Sequence, residues 1–355
     1  MSEGLMSEGR TSMLVISTSR SESGQLAPLA RLAGCPLVVC GMHLDSATPI
    51  AAEIAGIEII RLPRPADSLG LVHQVALREL LATRRPEVVF ILGDRFELLE
   101  LVLPLVLAGV TIAHLSGGER TAGAIDDVVR NAISQVATRH YPAHELAAER
   151  LVQMGIPAAQ ICVAGEPGLD AIRCEARPAL DRVIGAHDVL VALHPVTRDQ
   201  AETEACISAI QGAAARSPGT WHVSTPNGDP GSERIRAALQ GGNFAPFPNR
   251  GAAWFRAMTA ACGVQVGNSS AGLVEAPSLG CATVDIGHRQ HGRPRGASVV
   301  TLLQPSADGL LTAVAEARQR RALATPETNP YGDGHTCARI LAHLCATRAL
   351  GAGAP

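Results

Sequence analysis

Short, unbroken runs of β-branched and other apolar residues recur along the chain, and they do not alternate with polar positions. In the first half they fall at Met13 to Thr18, Pro36 to Cys40, Ile57 to Leu62, Val88 to Leu92, Val110 to His114 and Ile161 to Ala164. Between them lie stretches with helical spacing of apolar residues: Leu26 to Leu32, Leu71 to Ala82, Leu98 to Leu107, Ile125 to Val136 and Leu146 to Met154. A strand buried on both faces reads as a continuous apolar run, so this order predicts a parallel sheet covered by helices on either side. The pattern lapses from Arg173 to Gly185, around Pro178, which is where a linker is expected. It then restarts with strands at Val189 to Leu193, Thr220 to Val223, Val264 to Val266, Ala282 to Ile286 and Val299 to Leu303. Helices are predicted at Glu202 to Ala214, Ser232 to Leu239, Ala252 to Ala261, Leu310 to Arg321 and, last, His335 to Leu350. A chain of 355 residues is long for one hydrophobic core; the reading is α/β, with two Rossmann-like, doubly wound parallel-sheet domains.

Open sheets of this kind bind ligands beyond the carboxyl ends of their strands. The chemistry-bearing residues Arg20, Asp94, His114, His194 and Ser269 all fall at such ends, which points to an enzyme with a cleft shared by the two domains. The stretch Gly267-Asn268-Ser269-Ser270-Ala271-Gly272-Leu273-Val274-Glu275 follows a strand and leads into an expected helix over Leu273 to Leu279. Ser269 or Ser270 can cap that helix, whose first N–H groups and dipole favour a phosphate or diphosphate. Glu275 stands further along, where a carboxylate suits sugar hydroxyls better than phosphate.

Asp94, in Gly93-Asp94-Arg95, and Glu119, in His114-Leu115-Ser116-Gly117-Gly118-Glu119, follow adjacent strands. Asp126 and Asp127 open the next helix, and Arg130 lies one turn on, within pairing distance of an aspartate. Carboxylates brought to one place can have their pKa values pushed apart, so that one acts as base and another as acid. A structural ion-pair network with Arg95, Arg120 and Arg130 is the alternative. His194 ends the first strand of the second half; it can serve a leaving diphosphate or simply hold a hydrogen bond. In Gly287-His288-Arg289-Gln290-His291-Gly292-Arg293, two arginines can grip phosphate. The two histidines lack a third ligand nearby, so no metal is expected.

Composition narrows the field. The chain has no lysine, so its 30 basic residues are all arginine, and chemistry that needs a P-loop or Schiff-base lysine is out of reach. The first strand–helix turn has a single glycine, so no dinucleotide cofactor is expected. A net charge of −3 with scattered charges implies neither nucleic acid nor a membrane surface as partner. The most apolar run, Leu98 to Ala113, is interrupted by Glu100 and Pro104 and is too short to span a bilayer. No basic-then-apolar leader opens the chain, and nine cysteines without a C-x-x-C pair read as reduced thiols; a cytoplasmic protein is expected.

Taken together, the segments GMHL at Gly41, GDRFE at Gly93, HLSGGERTAGAIDD at His114, HPVT at His194, GNSSAGLVEAPSLG at Gly267, GHRQHGR at Gly287 and NPYGDG at Asn329 resemble the UDP-N-acetylglucosamine 2-epimerase family, in its hydrolysing branch. The resemblance implies a GT-B type fold. Its first domain would span 12–172 and take back the final helix, 335–350; its second would span 186–334. It implies elimination of UDP across C1–C2 to a glycal, then addition of water, giving a free 2-epimer such as N-acetylmannosamine, with no cofactor and with a homodimer as the assembly. Carried over by position, Asp94, Glu119, Asp126 and His194 look like the catalytic set. Arg20, His43, Arg95, Asp127, Arg130, Ser269, Ser270, Gly272, Glu275 and Arg289 look like the substrate and nucleotide contacts. Ser116, Asn131, Gln135 and Thr138 depart from the family's usual residues beside the sugar pocket, and bear on which sugar is taken.

Overall fold

Among the described residues, twelve strands form two six-stranded sheets, and every paired neighbour is parallel. The computed structural model describes residues 12–40, 54–63, 71–121, 125–197, 199–226 and 230–351. The chain divides into two units, one of Met1–Glu119, Asp126–Ala171 and His335–Pro355, the other of Arg120–Ile125 and Ile172–Gly334.

The first unit holds strands β1 (Met13–Ser17), β2 (Leu37–Val39), β3 (Ile59–Arg61), β4 (Val88–Leu92), β5 (Thr111–Leu115) and β6 (Arg139–Tyr141). Its helices are α1 (Arg20–Ala33), α2 (Leu71–Arg84), α3 (Glu97–Leu107), α4 (Asp126–Val136), α5 (Glu145–Gln153) and α6 (Gly168–Cys174). The second unit holds β7 (Val189–Ala192), β8 (Trp221–Ser224), β9 (Phe244–Phe247), β10 (Val264–Gly267), β11 (Ala282–Ile286) and β12 (Val299–Leu302). Its helices are α7 (Gln200–Ala214), α8 (Ser232–Ala238), α9 (Ala252–Cys262), α10 (Ala271–Val274) and α11 (Ala307–Arg320). The final helix, α12 (Thr336–Gly351), belongs to the first unit. Its Ile340 and Leu344 pack with Leu26 and Leu29 of α1 on one face of the first sheet. Leu77, Leu98, Leu101 and Ile133 of α2, α3 and α4 fill the other face.

The first sheet runs β3-β2-β1-β4-β5-β6 and the second β12-β11-β10-β7-β8-β9. Both are the doubly wound Rossmann order, read from opposite edges. The order reverses between β1 and β4 in one sheet and between β7 and β10 in the other. Backbone leaving the strands at such a reversal splays apart and leaves room for a ligand.

Three local expectations need correction. Ile161 to Ala164 forms no strand, only a bridge from Ile161 to His140; the sixth strand is Arg139–Tyr141, hidden in the sequence by its Arg-His start. Phe244–Phe247 is a strand despite Pro246, because it lies at the sheet edge, where a missing N–H breaks no ladder. The helix expected over Leu273 to Leu279 breaks after Val274 and resumes as a 3-10 turn at Pro277–Leu279. Pro277 has no N–H for the helical ladder and its ring crowds the preceding turn.

Candidate active site

In the first unit two of the aspartates meet on one buried cation. Arg130, 2% exposed, pairs with Asp94 and, at 2.7 Å, with Asp127. Its Nη1 also donates to the Glu119 carbonyl oxygen at 2.8 Å. Helix α4 makes this possible by burying Val129, Arg130 and Ile133 together, so the guanidinium is carried beneath the strand ends. The Glu119 side chain points elsewhere and meets His144 Nε2 at 2.7 Å. Arg95 is claimed by the buried Glu97 at 2.8 Å. Burial works against the Arg95 charge, but its bond to Glu97 and the nearby Glu22 and Asp126 charges outweigh burial and raise its pKa. Asp126, the first residue of α4, is thus within electrostatic reach of Arg95. His43 lies outside the described residues, as does the side chain of Arg20, whose backbone opens α1.

His114 fixes the turn that carries Asp94. Its Nε2 lies 2.8 Å from the Gly93 carbonyl and its Nδ1 3.1 Å from Ser134 Oγ. Complete burial lowers its pKa to about 4, so the ring is neutral at pH 7. A carbonyl only accepts, so the ring proton sits on Nε2 and the Ser134 hydroxyl donates to Nδ1. Gly93 at φ +76° makes the tight turn, and its N–H donates to the Leu115 carbonyl on the neighbouring strand. Ser116 adopts φ +56°, a conformation that costs a residue with a side chain about 1–2 kcal/mol. It is placed there to donate a 2.8 Å hydrogen bond to Glu166, a carboxylate that the sequence pattern did not single out.

On α1, Glu22 closes a capping box by accepting from Thr18 and Ser19. Burial raises its pKa to about 7, against the lowering effect of the Thr18 bonds and the Arg95 charge.

In the second unit the reversal between β7 and β10 is tied by Asn268, 1% exposed. Its side-chain oxygen accepts from the His194 N–H and its amide donates to the His194 carbonyl, both at 2.8 Å. Its own carbonyl accepts from Arg289 Nη1 at 3.0 Å and Gln290 Nε2 at 2.8 Å. One asparagine therefore joins the ends of β7 and β10 to the loop after β11. In the sequence pattern it stands out less than its serine neighbours; a lone amide at the end of a buried strand is its only mark.

Ser269 and Ser270 follow, both half-buried. Ser269 Oγ accepts from the Ala271 N–H at 3.4 Å, whereas Ser270 makes no capping bond. Gly272 lies where a Cβ would stand 2.8 Å from Thr283 Cγ2 and 3.0 Å from Gln265 Nε2, so it lets α10 close on the sheet. Glu275 is held by Arg256 at 3.1 Å, and the same buried guanidinium binds Glu175 at 2.8 Å. His288 is anchored by Glu202, through its N–H at 2.7 Å and its ring at 3.2 Å. Arg293 holds the Arg120 carbonyl at 2.9 Å, which fastens that loop to the second unit.

Each unit thus carries its own complement at its sheet reversal: carboxylates on an arginine in one, and a serine turn beside Arg289 and His194 in the other. A family profile described as UDP-N-acetylglucosamine 2-epimerase matches residues 34–345. A Legionella pneumophila protein named UDP-N,N'-diacetylbacillosamine 2-epimerase (hydrolyzing) is 28% identical over 328 residues, covering 85% of each chain. The UDP-N-acetylglucosamine 2-epimerase of Neisseria meningitidis serogroup B is 34% identical over 225 residues, or 61% of this chain and 59% of that one. Among solved structures, UDP-GlcNAc 2-epimerase from Neisseria meningitidis, bound to UDP-GlcNAc, superposes with a TM-score of 0.79 at 16% identity, covering 94% of this chain and 100% of that one. The two-sheet, GT-B-like architecture is therefore as expected. With a match that runs through both units and their strand-end motifs, this chain belongs to the UDP-N-acetylglucosamine 2-epimerase family.

Proposed function

We propose that this protein is a hydrolysing nucleotide-sugar 2-epimerase. The acidic residues of the first unit act on the sugar, and the second unit holds the nucleotide. A carboxylate among Asp94, Glu119 and Asp126 takes the proton from C2 while the C1–O bond to the diphosphate breaks, leaving a C1=C2 glycal and free UDP. Water then returns a hydroxyl to C1 and a proton to C2, giving the free 2-epimer. His194, Arg289 and the Ser269–Ser270 turn receive the departing diphosphate, joined by Arg20; Glu275 accepts from the ribose. Negative charge developing on the leaving group is met by groups fixed in advance, which is the most effective form of electrostatic catalysis. No step calls on lysine, metal or NAD.

The observation that carries this reading is the clustering of Asp94, Asp127 and the Glu119 main chain on the buried Arg130. A carboxylate held by a fixed guanidinium is oriented before the substrate arrives, which is what proton abstraction from carbon demands. The hydrolysing outcome is supported by the Legionella relative, whose name carries it. The same name favours a diacetamido sugar beside N-acetylglucosamine as substrate.

A homodimer is proposed from the outward face of α3, where Leu99, Leu103, Val106 and Leu107 are 41–71% exposed. The nine free cysteines agree with work in the cytoplasm, and among the described residues no helix is long and apolar enough to cross a membrane.

The test is incubation with UDP-N-acetylglucosamine and UDP-N,N'-diacetylbacillosamine, following nucleotide and sugar together. Free sugar and UDP in equal amounts support the proposal. An interconverting pair of UDP-sugars means a non-hydrolysing epimerase, and UDP binding without turnover means a degenerate nucleotide-sugar binder.

A further inference from the structure

The Glu119 carboxylate faces a histidine that no motif marked. His144 Nε2 lies 2.7 Å from Glu119 Oε1, and the two side chains are only 5% and 7% exposed. His144 is also the N-cap of α5, where its Nδ1 accepts the Ala147 N–H at 3.2 Å. A ring nitrogen that accepts an N–H bears no proton. The ring proton is therefore on Nε2, the nitrogen that lies 2.7 Å from the carboxylate oxygen, against it but out of line for a hydrogen bond. The same helix holds the preceding residue, since Arg150 Nη1 donates to the Gly118 carbonyl at 3.1 Å. Helix α5 thus grips the Gly118–Glu119 segment twice, once through its backbone and once through its acid.

We infer that His144 is a positioning residue for Glu119, spending Nδ1 on the helix cap and setting its Nε2–H edge against the carboxylate to fix where that acid sits. The inference rests on the reading in which Glu119 acts on the sugar. His144 does not touch substrate in this account. Its two nitrogens have separable duties, and that separation makes the claim testable.

An asparagine at this position keeps an acceptor at the height of Nδ1 and loses the reach of Nε2. A glutamine keeps a donor at the height of Nε2 and weakens the cap. With UDP-N-acetylglucosamine as probe and nucleotide release as readout, His144→Asn is expected to lower kcat by about 10–100-fold, with KM within about threefold of wild type. Its Tm should stay within about 2 °C. His144→Gln should keep kcat within about fivefold and melt about 2–4 °C lower, as expected for a lost cap. A residue with a merely structural role would lose Tm and activity together in both variants, which would overturn the inference.

Glu119→Gln serves as the control. It should be inactive, and adding His144→Asn to it should cost nothing further. If His144→Asn turns over normally while Glu119→Gln is dead, the positioning role is wrong and the proposed function survives. If Glu119→Gln itself is fully active, the assignment of Glu119 fails and this inference fails with it. The pair can also be read without turnover. Histidine ring nitrogen NMR of the whole protein should show a proton on His144 Nε2 and none on Nδ1, and a proton on Nδ1 would overturn the inference.

Discussion

Asn268 offers the sharpest quantitative prediction, because one side chain carries the connection between β7 and β10. Asn268→Ala removes two 2.8 Å hydrogen bonds and leaves the His194 N–H and carbonyl without their partner. His194 is half-buried, and each of these groups left without its partner costs about 1 kcal/mol. The vacated space beside a residue 1% exposed adds about 1 kcal/mol more. The sum is about 3 kcal/mol, or a Tm drop of about 6–12 °C for a domain of this size. Catalysis should suffer as well, since His194 and the Ser269 turn lose their common anchor; a shift of about 1 Å in such groups lowers kcat/KM by about 100-fold. Asn268→Asp is the stricter test. It preserves size and one acceptor but turns an oxygen toward the His194 carbonyl, so it should be no better than alanine. Thermal melting with nucleotide release reads both quantities. An aspartate variant with wild-type Tm and kcat/KM would refute the claim that this amide organises the second unit's site.

Arg130→Met should abolish turnover and cost about 2–4 kcal/mol, less than for a fully sealed ion pair because Asp94 and Asp127 are 25% and 32% exposed; denaturant unfolding of the variant checks it. Gly118→Ala should destabilise by about 2–4 kcal/mol, since its Cβ would stand 2.2 Å from the Ala147 carbonyl oxygen at φ +78°. The loss should appear as a lower denaturant midpoint. Glu22 gives a pH signature. Its folded pKa, about 7, lies above the ordinary 4.5, so its contribution is fully present below pH 4.5 and lost as pH rises through 7. Glu22→Gln, which keeps the acceptor of the capping box, should match wild type at pH 5 and exceed it by about 2 kcal/mol at pH 8. Equal stability differences at the two pH values would contradict this.

Most of the architecture could be read from the chain because buried parallel strands leave unbroken apolar runs such as Val88–Leu92 and Ala282–Ile286. The elements that escaped do so for physical reasons. Arg139–Tyr141 carries a charge and a histidine into a strand, and Phe244–Phe247 contains a proline that only an edge position tolerates. Within the site, residues at strand ends were legible one by one, as with Asp94, His194 and Ser269. Their supports were not. Asn268, Arg256, Glu166 and His144 act through partners 74, 19, 50 and 25 positions away, and spacing along the chain carries no trace of such pairings. Arg130 with Asp127 is the exception, because a helix brings residues three apart onto one face.

The central claim is that carboxylates of the first unit take a proton from C2 of a nucleotide-sugar whose diphosphate then leaves. Running the reaction in D2O with UDP-N-acetylglucosamine or its diacetamido analogue, and reading products by NMR, tests it most directly. The account predicts free 2-epimerised sugar carrying one deuterium at C2, released in step with UDP, and none of it from Asp94→Asn. Free sugar that retains the original hydrogen at C2, or full activity of Asp94→Asn, would contradict it.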